Sequence, residues 1–399
     1  MKYAKRVERM DDPIGVVVNV FHSMGDPSMI SFSGGAPAGE CTPIEEVREI
    51  ATELLSDKEK ASEILEYGEL VGRSDLRQVV IDHLMPRCGI EADKDNIIIL
   101  TGGQEGISLT CQLFLEEGDV VLTEDPTFFH GMGTFAMMGV ECIGVEMDEN
   151  GMIIEDLEKK IEQYQPKMVY TIPTFQNPTG RTMAADRRKR LAELASEHDF
   201  IVFEDDPYRE MRYSGEEVPA IKSFDKTGNV VFGGTFSKIF SPGFRLGYIV
   251  ASHELQKKYE QMLVAINTHT SNLSQAVCAE YFNRGYYPAH RQQLCDLHKQ
   301  RRDACIESIK RYFPEEATYT VPDGGMFTWI ELPEHIDTRA LLKEAEERED
   351  IKVSFTAGET MFTKGGLRKN CLRLSFTDLD TAVVEEGVKR LGKLIAEKL

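Results

Sequence analysis

From residue 96 onward the chain alternates short apolar runs with longer stretches of mixed polarity. The runs at 96–100, 120–122, 141–145, 168–172, 200–203, 230–232 and 247–250 are mostly continuous rather than alternating. Strands buried on both faces read this way, as in a parallel sheet covered by helices. Stretches of helical period fill most of the gaps, notably 104–115, 154–163 and 184–198. The pattern predicts α/β architecture with seven strands in a mostly parallel sheet. No helix fits between 232 and 247, so the last run is expected to lie antiparallel. A long amphipathic stretch, 288–312, changes the order. After it come strands at 318–321 and 327–332, a helix at 338–346, strands at 351–355 and 371–376, and a helix from Asp378. This reads as a smaller α+β domain. At the other end, Asp11-Asp12-Pro13 opens a helix running to about Met24, which Gly25-Asp26-Pro27 stops. A short strand at 30–32 and a helix from Pro43 follow. The expected division is a large domain over 46–290 and a small domain made of 1–45 with 291–399.

Composition narrows the partners. Lys and Arg number 46 against 67 Asp and Glu, a net charge of −21. Such a surface repels nucleic acid and anionic lipid, and any anionic cofactor needs a local basic pocket. The 399 residues are 41% hydrophobic, enough for a sizeable core. None of the eight cysteines forms a C-x-x-C and several sit in apolar runs, so they read as reduced thiols of a cytoplasmic protein. The nine histidines form no H-E-x-x-H and no Cys/His cluster, so no metal is expected. The N-terminus carries no uninterrupted apolar segment of membrane-spanning length.

The candidate chemistry gathers where strands end, which is where open α/β sheets bind ligands. Thr101-Gly102-Gly103-Gln104 opens a helix and offers a phosphate site, or only a turn. In Asp125-Pro126-Thr127-Phe128, either Phe128 or Phe129 can stack on a planar ring, though an aromatic here also serves as core packing. Asn177-Pro178-Thr179-Gly180 is either a turn or the donor to a phenolate oxygen, with the balance even. In Glu204-Asp205-Asp206-Pro207-Tyr208, Asp205 can pair with a protonated pyridine nitrogen and Tyr208 can reach the phenolate, whereas Asp206 reads as part of a solvated loop. Gly233-Gly234-Thr235-Phe236-Ser237-Lys238, with Arg245 seven residues on, sets a lysine beside hydroxyls and a cation. A lysine there can form a Schiff base next to a bound phosphate, its pKa lowered by Arg245. Arg373, between apolar neighbours in a small-domain strand, is either a structural ion-pair partner or a bidentate carboxylate clamp. Each signal is modest alone. Together they make one pyridoxal 5′-phosphate (PLP) toolkit in chain order.

On these motifs the chain resembles the PLP-dependent aminotransferases of fold type I, class I/II, over nearly its whole length. Ser31-Phe32-Ser33-Gly34-Gly35, the pairing of Asn177-Pro178-Thr179-Gly180 with Ser237-Lys238 and Arg245, and Gly324-Gly325-Met326-Phe327 carry the resemblance. They point to the branch of 2-aminoadipate, kynurenine-type and valine–pyruvate aminotransferases. The resemblance implies that Lys238 bonds the cofactor and then shuttles the α-proton. Asp205 would hold the pyridine nitrogen, Asn177 and Tyr208 the ring oxygen, and Phe128 the ring face. Gly102, Gly103, Gln104, Thr235, Ser237 and Arg245 would take the phosphate, and Arg373 the substrate α-carboxylate. Tyr67 would reach the phosphate of a partner subunit, which implies a homodimer with shared sites. Gly35, residues near 268–272 and Phe21 would shape the side-chain pocket. Two features depart from the pattern: Gly103 stands where many relatives carry Ser or Ala, and Thr356-Ala357-Gly358 where Pro-Gly is usual.

The expected activity is ping-pong transfer of an α-amino group from an amino acid to a 2-oxo acid. One alternative keeps PLP for β-lyase or decarboxylase chemistry. A more remote one is a ligand sensor fused to a DNA-binding unit, disfavoured because the chain starts almost at the aminotransferase pattern and is strongly acidic.

Overall fold

The computed structural model describes residues 1–9, 28–363 and 368–399. The helix expected from Asp11 to Met24, with Phe21, lies outside the described residues.

The strands are β1 (Ile30–Ser31), β2 (Ile97–Leu100), β3 (Val120–Glu124), β4 (Glu141–Val145), β5 (Met168–Thr171), β6 (Ile201–Asp205), β7 (Val230–Thr235), β8 (Gly247–Val250), β9 (Thr318–Tyr319), β10 (Phe327–Glu331), β11 (Val353–Ser354), β12 (Thr356–Ala357) and β13 (Cys371–Ser375), besides a short hairpin at 147–152. Seven of them form one sheet in the order β2-β8-β7-β6-β5-β3-β4. All its pairs are parallel except those of β8, which runs antiparallel to both β2 and β7. The continuous apolar runs have their expected cause. In β2, Ile98 and Leu100 enter the core on one face while Ile97 and Ile99 enter the core on the other. Each fully buried side chain of this size contributes roughly 1.5–3 kcal/mol of burial, so a charge at Ile98 or Ile99 would disrupt a whole face.

Three strands of this sheet run further than the sequence pattern indicates, and β3 reaches Glu124. β6 continues through Glu204 to Asp205, and β7 through Gly233-Gly234 to Thr235. Asp205 is therefore the last residue of a strand rather than part of a following loop, and Asp206 is buried rather than solvated. Glycines carry β7 onward because nothing larger fits: a Cβ at Gly234 would lie 2.2 Å from the Tyr248 ring.

The second sheet, β9-β10-β13-β12, is antiparallel and backs onto its own apolar core. β1 pairs in parallel with β11, and Ser375 N–H donates to Phe32 O at 2.9 Å, so the segment after residue 28 is sewn onto the C-terminal part of the chain. The helix Tyr287–Tyr312 joins the two bodies. Its Tyr287 and Leu294 pack in the cores of the large sheet, and its Cys305, Ile306 and Ile309 in that of the small one. At about 1.5 Å per residue it reaches about 39 Å. The cleft between the two sheets is where the candidate residues gather.

Candidate active site

One side of the cleft is built for an anion. Gly102 caps the helix Gly103–Phe114 at φ +86°. That conformation, and the approach of Arg245, both require glycine: a Cβ on Gly102 would lie 2.3 Å from the Arg245 guanidinium. Arg245 itself sits in the left-handed region at φ +51°. Gly247 lets β8 pass the same turn, since its Cβ would lie 2.5 Å from the Gly102 carbonyl carbon. The first N–H groups of the helix, with its positive dipole end, open beside this guanidinium. The side-chain amide of Gln104 donates to Thr134 Oγ1 at 2.8 Å. The Thr235 hydroxyl donates to Leu246 O at 3.1 Å and accepts from Ser237 N–H at 3.1 Å, so a contact to phosphate there requires the rotor to turn. A Cβ at Gly103 would meet nothing closer than Thr235 at 3.7 Å, so the missing hydroxyl at that position is not forced by crowding.

Lys238 lies three residues past Thr235. It keeps part of its surface open to the cleft, and its Nζ donates to the carbonyl of Gly35. Its pKa falls from 10.5 to about 8. Burial is the largest cause, and the cations Arg245 and Arg373 add to it. Arg245 is the cause visible in the sequence, and desolvation outranks it.

At the end of β6, Asp205 accepts from the Tyr170 hydroxyl at 2.7 Å. Burial raises its pKa from 3.8 to about 7; the Tyr170 hydrogen bond opposes the rise and the neighbouring Asp206 adds to it. Tyr170 was missed in the sequence, although a hydroxyl inside a doubly buried strand always needs a partner. Asn177 joins two candidates. Its Nδ2 donates to the Tyr208 hydroxyl at 3.3 Å and its Oδ1 accepts from Arg373 at 2.9 Å. Phe128 caps the helix Phe129–Met138 and remains partly open, while Phe129 is buried against Trp329, Met361 and Phe362. Between the two, Phe128 is the one left to face a ligand.

Arg373, on β13, is buried. Its Nη2 donates to Ser33 O (2.7 Å), Gly34 O (3.3 Å) and Thr356 Oγ1 (3.1 Å), and its Cζ lies 4.2 Å from the centre of the Phe327 ring. All of these partners are neutral. Burial lowers its pKa to about 10, and its Nε has no hydrogen-bond partner among the described residues. The unusual Thr356 thus supplies a hydroxyl that braces the guanidinium. Gly35 forms the wall between Lys238 and Phe327, with space for a Cβ only 3.3 Å from that ring. The stretch expected in the side-chain pocket, 268–272, braces the Tyr67 turn. Gly68 N–H donates to His269 Nε2 at 3.2 Å, and Asn272 donates to Glu66 O at 2.8 Å. Tyr67 stands exposed, edge-on to His269.

These groups fit PLP by this structure's own geometry. A cradle that a Cβ would fill holds a guanidinium at a helix N-terminus, the buried Asp205 carboxylate is held by a neutral phenol, and burial with the nearby Arg245 and Arg373 lowers the pKa of the Lys238 amine. The profile of aminotransferase class I and II matches residues 27–391, and the chain belongs to that family. It is a PLP-dependent aminotransferase of fold type I. Among its relatives, it is 38% identical to aromatic-amino-acid aminotransferase 1 of Thermococcus litoralis, over 93% of this chain and 89% of that one. It is 33% identical to 2-aminoadipate transaminase of Thermus thermophilus, over 92% and 90%. The solved kynurenine aminotransferase of Pyrococcus horikoshii, in complex with pyridoxamine phosphate, superposes with a TM-score of 0.90 at 36% identity, covering 100% of this chain and 96% of that one.

Proposed function

We propose that the enzyme transfers the amino group of a large, predominantly aromatic amino acid to a 2-oxo acid, with the side chains above in the roles the sequence assigned them. One observation carries this reading. Lys238 Nζ and the Arg373 guanidinium bond to adjacent peptide carbonyls, Gly35 O against Gly34 O and Ser33 O. The two groups therefore meet one short stretch of chain, where the amine and the carboxylate of a single 2-amino acid can both be reached.

Arg373 takes the carboxylate in bidentate fashion and fixes the α-carbon, so donors differ only beyond it. Lys238, neutral above about pH 8, holds the cofactor and, once released, moves the α-proton at its Nζ. When bound, the cofactor supplies the aldehyde that receives the amine and a ring that accepts electrons. Asp205 keeps that ring's nitrogen charged. Asn177 and Tyr208 bond its oxygen, Phe128 covers its face, and Gly102, Gly103, Gln104, Thr235, Ser237 and Arg245 take its phosphate. The preference for aromatic donors is supported by the named activities of the relatives. We place the boundary of the large domain at 46–290, with 1–45 and 291–399 forming the small one. Exposed Tyr67 is assigned to a partner subunit's phosphate in a homodimer. A cytoplasmic location suits eight free thiols, and no helix among the described residues is long and apolar enough to cross a membrane.

The test is a panel of amino donors against 2-oxoglutarate and pyruvate, followed by the spectral change of the cofactor, with Lys238→Ala alongside. Aromatic donors are expected to lead. The variant should keep its fold and lose at least about 10^4-fold in turnover. Ammonia release without any 2-oxo acid would instead favour a lyase.

A further inference from the structure

The wall between the two substrate groups is a single extended stretch, 33–38, in which each carbonyl from Ser33 to Ala36 and the N–H of Ala38 has a side-chain holder. Arg373 takes the carbonyls of Ser33 and Gly34, and Lys238 takes that of Gly35. The Thr377 hydroxyl donates to Ala36 O at 2.7 Å, and Ala38 N–H donates to His298 Nε2 at 3.1 Å. Three of these holders are site residues or lie on the strand of Arg373 and its continuation. His298 is the exception. It projects from the helix Tyr287–Tyr312, fully buried and edge-on to Tyr213.

We propose that His298 is a positioning residue of the transamination site: by accepting from Ala38 N–H it fixes the far end of the 33–38 wall and so sets where the Gly35 carbonyl meets Lys238 and the substrate. This rests on the roles given to Lys238 and Arg373 above.

Three observations support it. To accept from Ala38, Nε2 must carry no proton, so the ring is the Nδ1–H tautomer. Burial, with Arg301 one turn along the helix, drives its pKa down to about 3 and keeps the ring in that neutral, accepting form. Its Nδ1 has no hydrogen-bond partner among the described residues, so the ring is placed for one bond rather than to satisfy both nitrogens. Finally, Arg301 fastens the neighbouring chain, donating to Thr377 O and pairing with Glu40. One face of one helix thereby grips both ends of the contact between 36–40 and the strand of Arg373. The chain from Gly35 to Ala38 is too short to absorb a shift at residue 38 without moving residue 35.

The experiment compares His298→Leu, which has no acceptor, with His298→Gln, whose amide oxygen can accept from Ala38. Cys305→Ala, a core truncation on the same helix away from the wall, is the stability control. Two quantities are read besides Tm. One is KM against kcat for an amino donor with the holoenzyme. The other is the rate at which trinitrobenzenesulfonate labels Lys238 in cofactor-free protein at fixed pH. His298→Leu should raise donor KM about tenfold, the worth of one buried hydrogen bond, and leave kcat within about twofold. Lys238 labelling should accelerate as its amine loses the Gly35 carbonyl. His298→Gln should restore both, and Cys305→Ala should lower Tm while moving neither. If His298→Leu does not fold, His298→Asn, whose shorter amide stops short of Ala38, carries the same expectation. The proposal is overturned if the variants shift KM and labelling no more than Cys305→Ala does at matched loss of Tm, or if His298→Gln fails to restore them. Failure of the underlying assignment would look different: wild-type protein would neither bind PLP at Lys238 nor transaminate.

Discussion

Asp205 and Asp206 are neighbours in sequence, both buried, and opposite in circumstance. Asp206 meets Arg209 at 2.6 Å, and its N–H donates to Gly233 O. Arg209 in turn donates to Val218 O, and its pKa is raised: burial alone would lower it, and Asp206 and nearby acids outweigh that. Asp205, on the cleft side, has one neutral phenol. The same contrast separates Arg209 from Arg373, whose partners are an amide, a hydroxyl and two carbonyls. A buried charge without a counter-charge costs several kcal/mol. Asp206 and Arg209 neutralise each other. In the cleft Asp205 and Arg373 are held by neutral partners among the described residues, and a pyridinium and an α-carboxylate are the ligand charges that would match them. Neutral partners alone do not mark the site, because buried Glu124 accepts from the Thr171 hydroxyl and the Ile172 N–H and buried Arg188 donates to the Met183, Pro173 and Pro219 carbonyls; Asp205 and Arg373 stand apart because they also border the cleft.

The sharpest way to break this contrast is to neutralise each aspartate in turn. Asp205→Asn should cut turnover by about 10²–10³, the scale of a lost electrostatic contact to the reacting system, with the protein still folded and still able to bind PLP at Lys238. Opening the scaffold pair should do the reverse. Arg209→Leu leaves Asp206 charged, buried and alone, and should cost about 3–5 kcal/mol of stability, read from denaturant unfolding, while the surviving folded enzyme keeps its kcat. Equal losses of turnover in both variants would erase the distinction between site and scaffold.

Much of this site was legible because PLP chemistry needs particular residue types at strand ends, and continuous apolar runs announce those ends. Lys238, Asn177, Tyr208 and Arg373 all reach one cleft, as their motifs implied. What escaped the sequence was pairing across elements. Nothing near Asp205 announces Tyr170, 35 residues earlier, and nothing near Ala38 announces His298. Asp206 was misplaced because Glu-Asp-Asp-Pro reads as a solvated loop, and only tertiary contact reveals Arg209 closing over it. The overlong strands had a similar cause. β7 continues through two glycines, residues that usually end a strand, because the Phe203 and Tyr248 rings leave no room for a side chain.

A smaller effect sharpens the comparison on the cation side. Arg373→Lys keeps the charge but removes the fork that spans two carboxylate oxygens. Donor KM should rise roughly tenfold or more, with kcat falling less. If steady-state kinetics showed KM unchanged, the guanidinium would be serving Asn177 and the 33–34 carbonyls only, and it would join Arg209 among the scaffold groups.

The smallest expected effect is one of sign, and it concerns protein stripped of cofactor. Asp205 has a folded pKa near 7 against an ordinary 3.8. The unfolded chain therefore loses this proton first, and stability falls as pH rises from about 4 to about 7, staying at the lower value above that. Asn cannot ionise, yet its amide oxygen can still accept from Tyr170. Cofactor-free Asp205→Asn should thus match wild type at acid pH and exceed it above about pH 7 by roughly 1–3 kcal/mol, a few degrees in Tm. Adding PLP should cancel or reverse the advantage, because the pyridine nitrogen then supplies the missing counter-charge to wild type alone. Thermal unfolding at about pH 5 and about pH 8, with and without PLP, gives the four values needed. An Asp205→Asn variant less stable than wild type in the cofactor-free state at the higher pH would mean that the acid is already compensated inside the protein, and the cleft would then differ from the scaffold in position but not in charge economy.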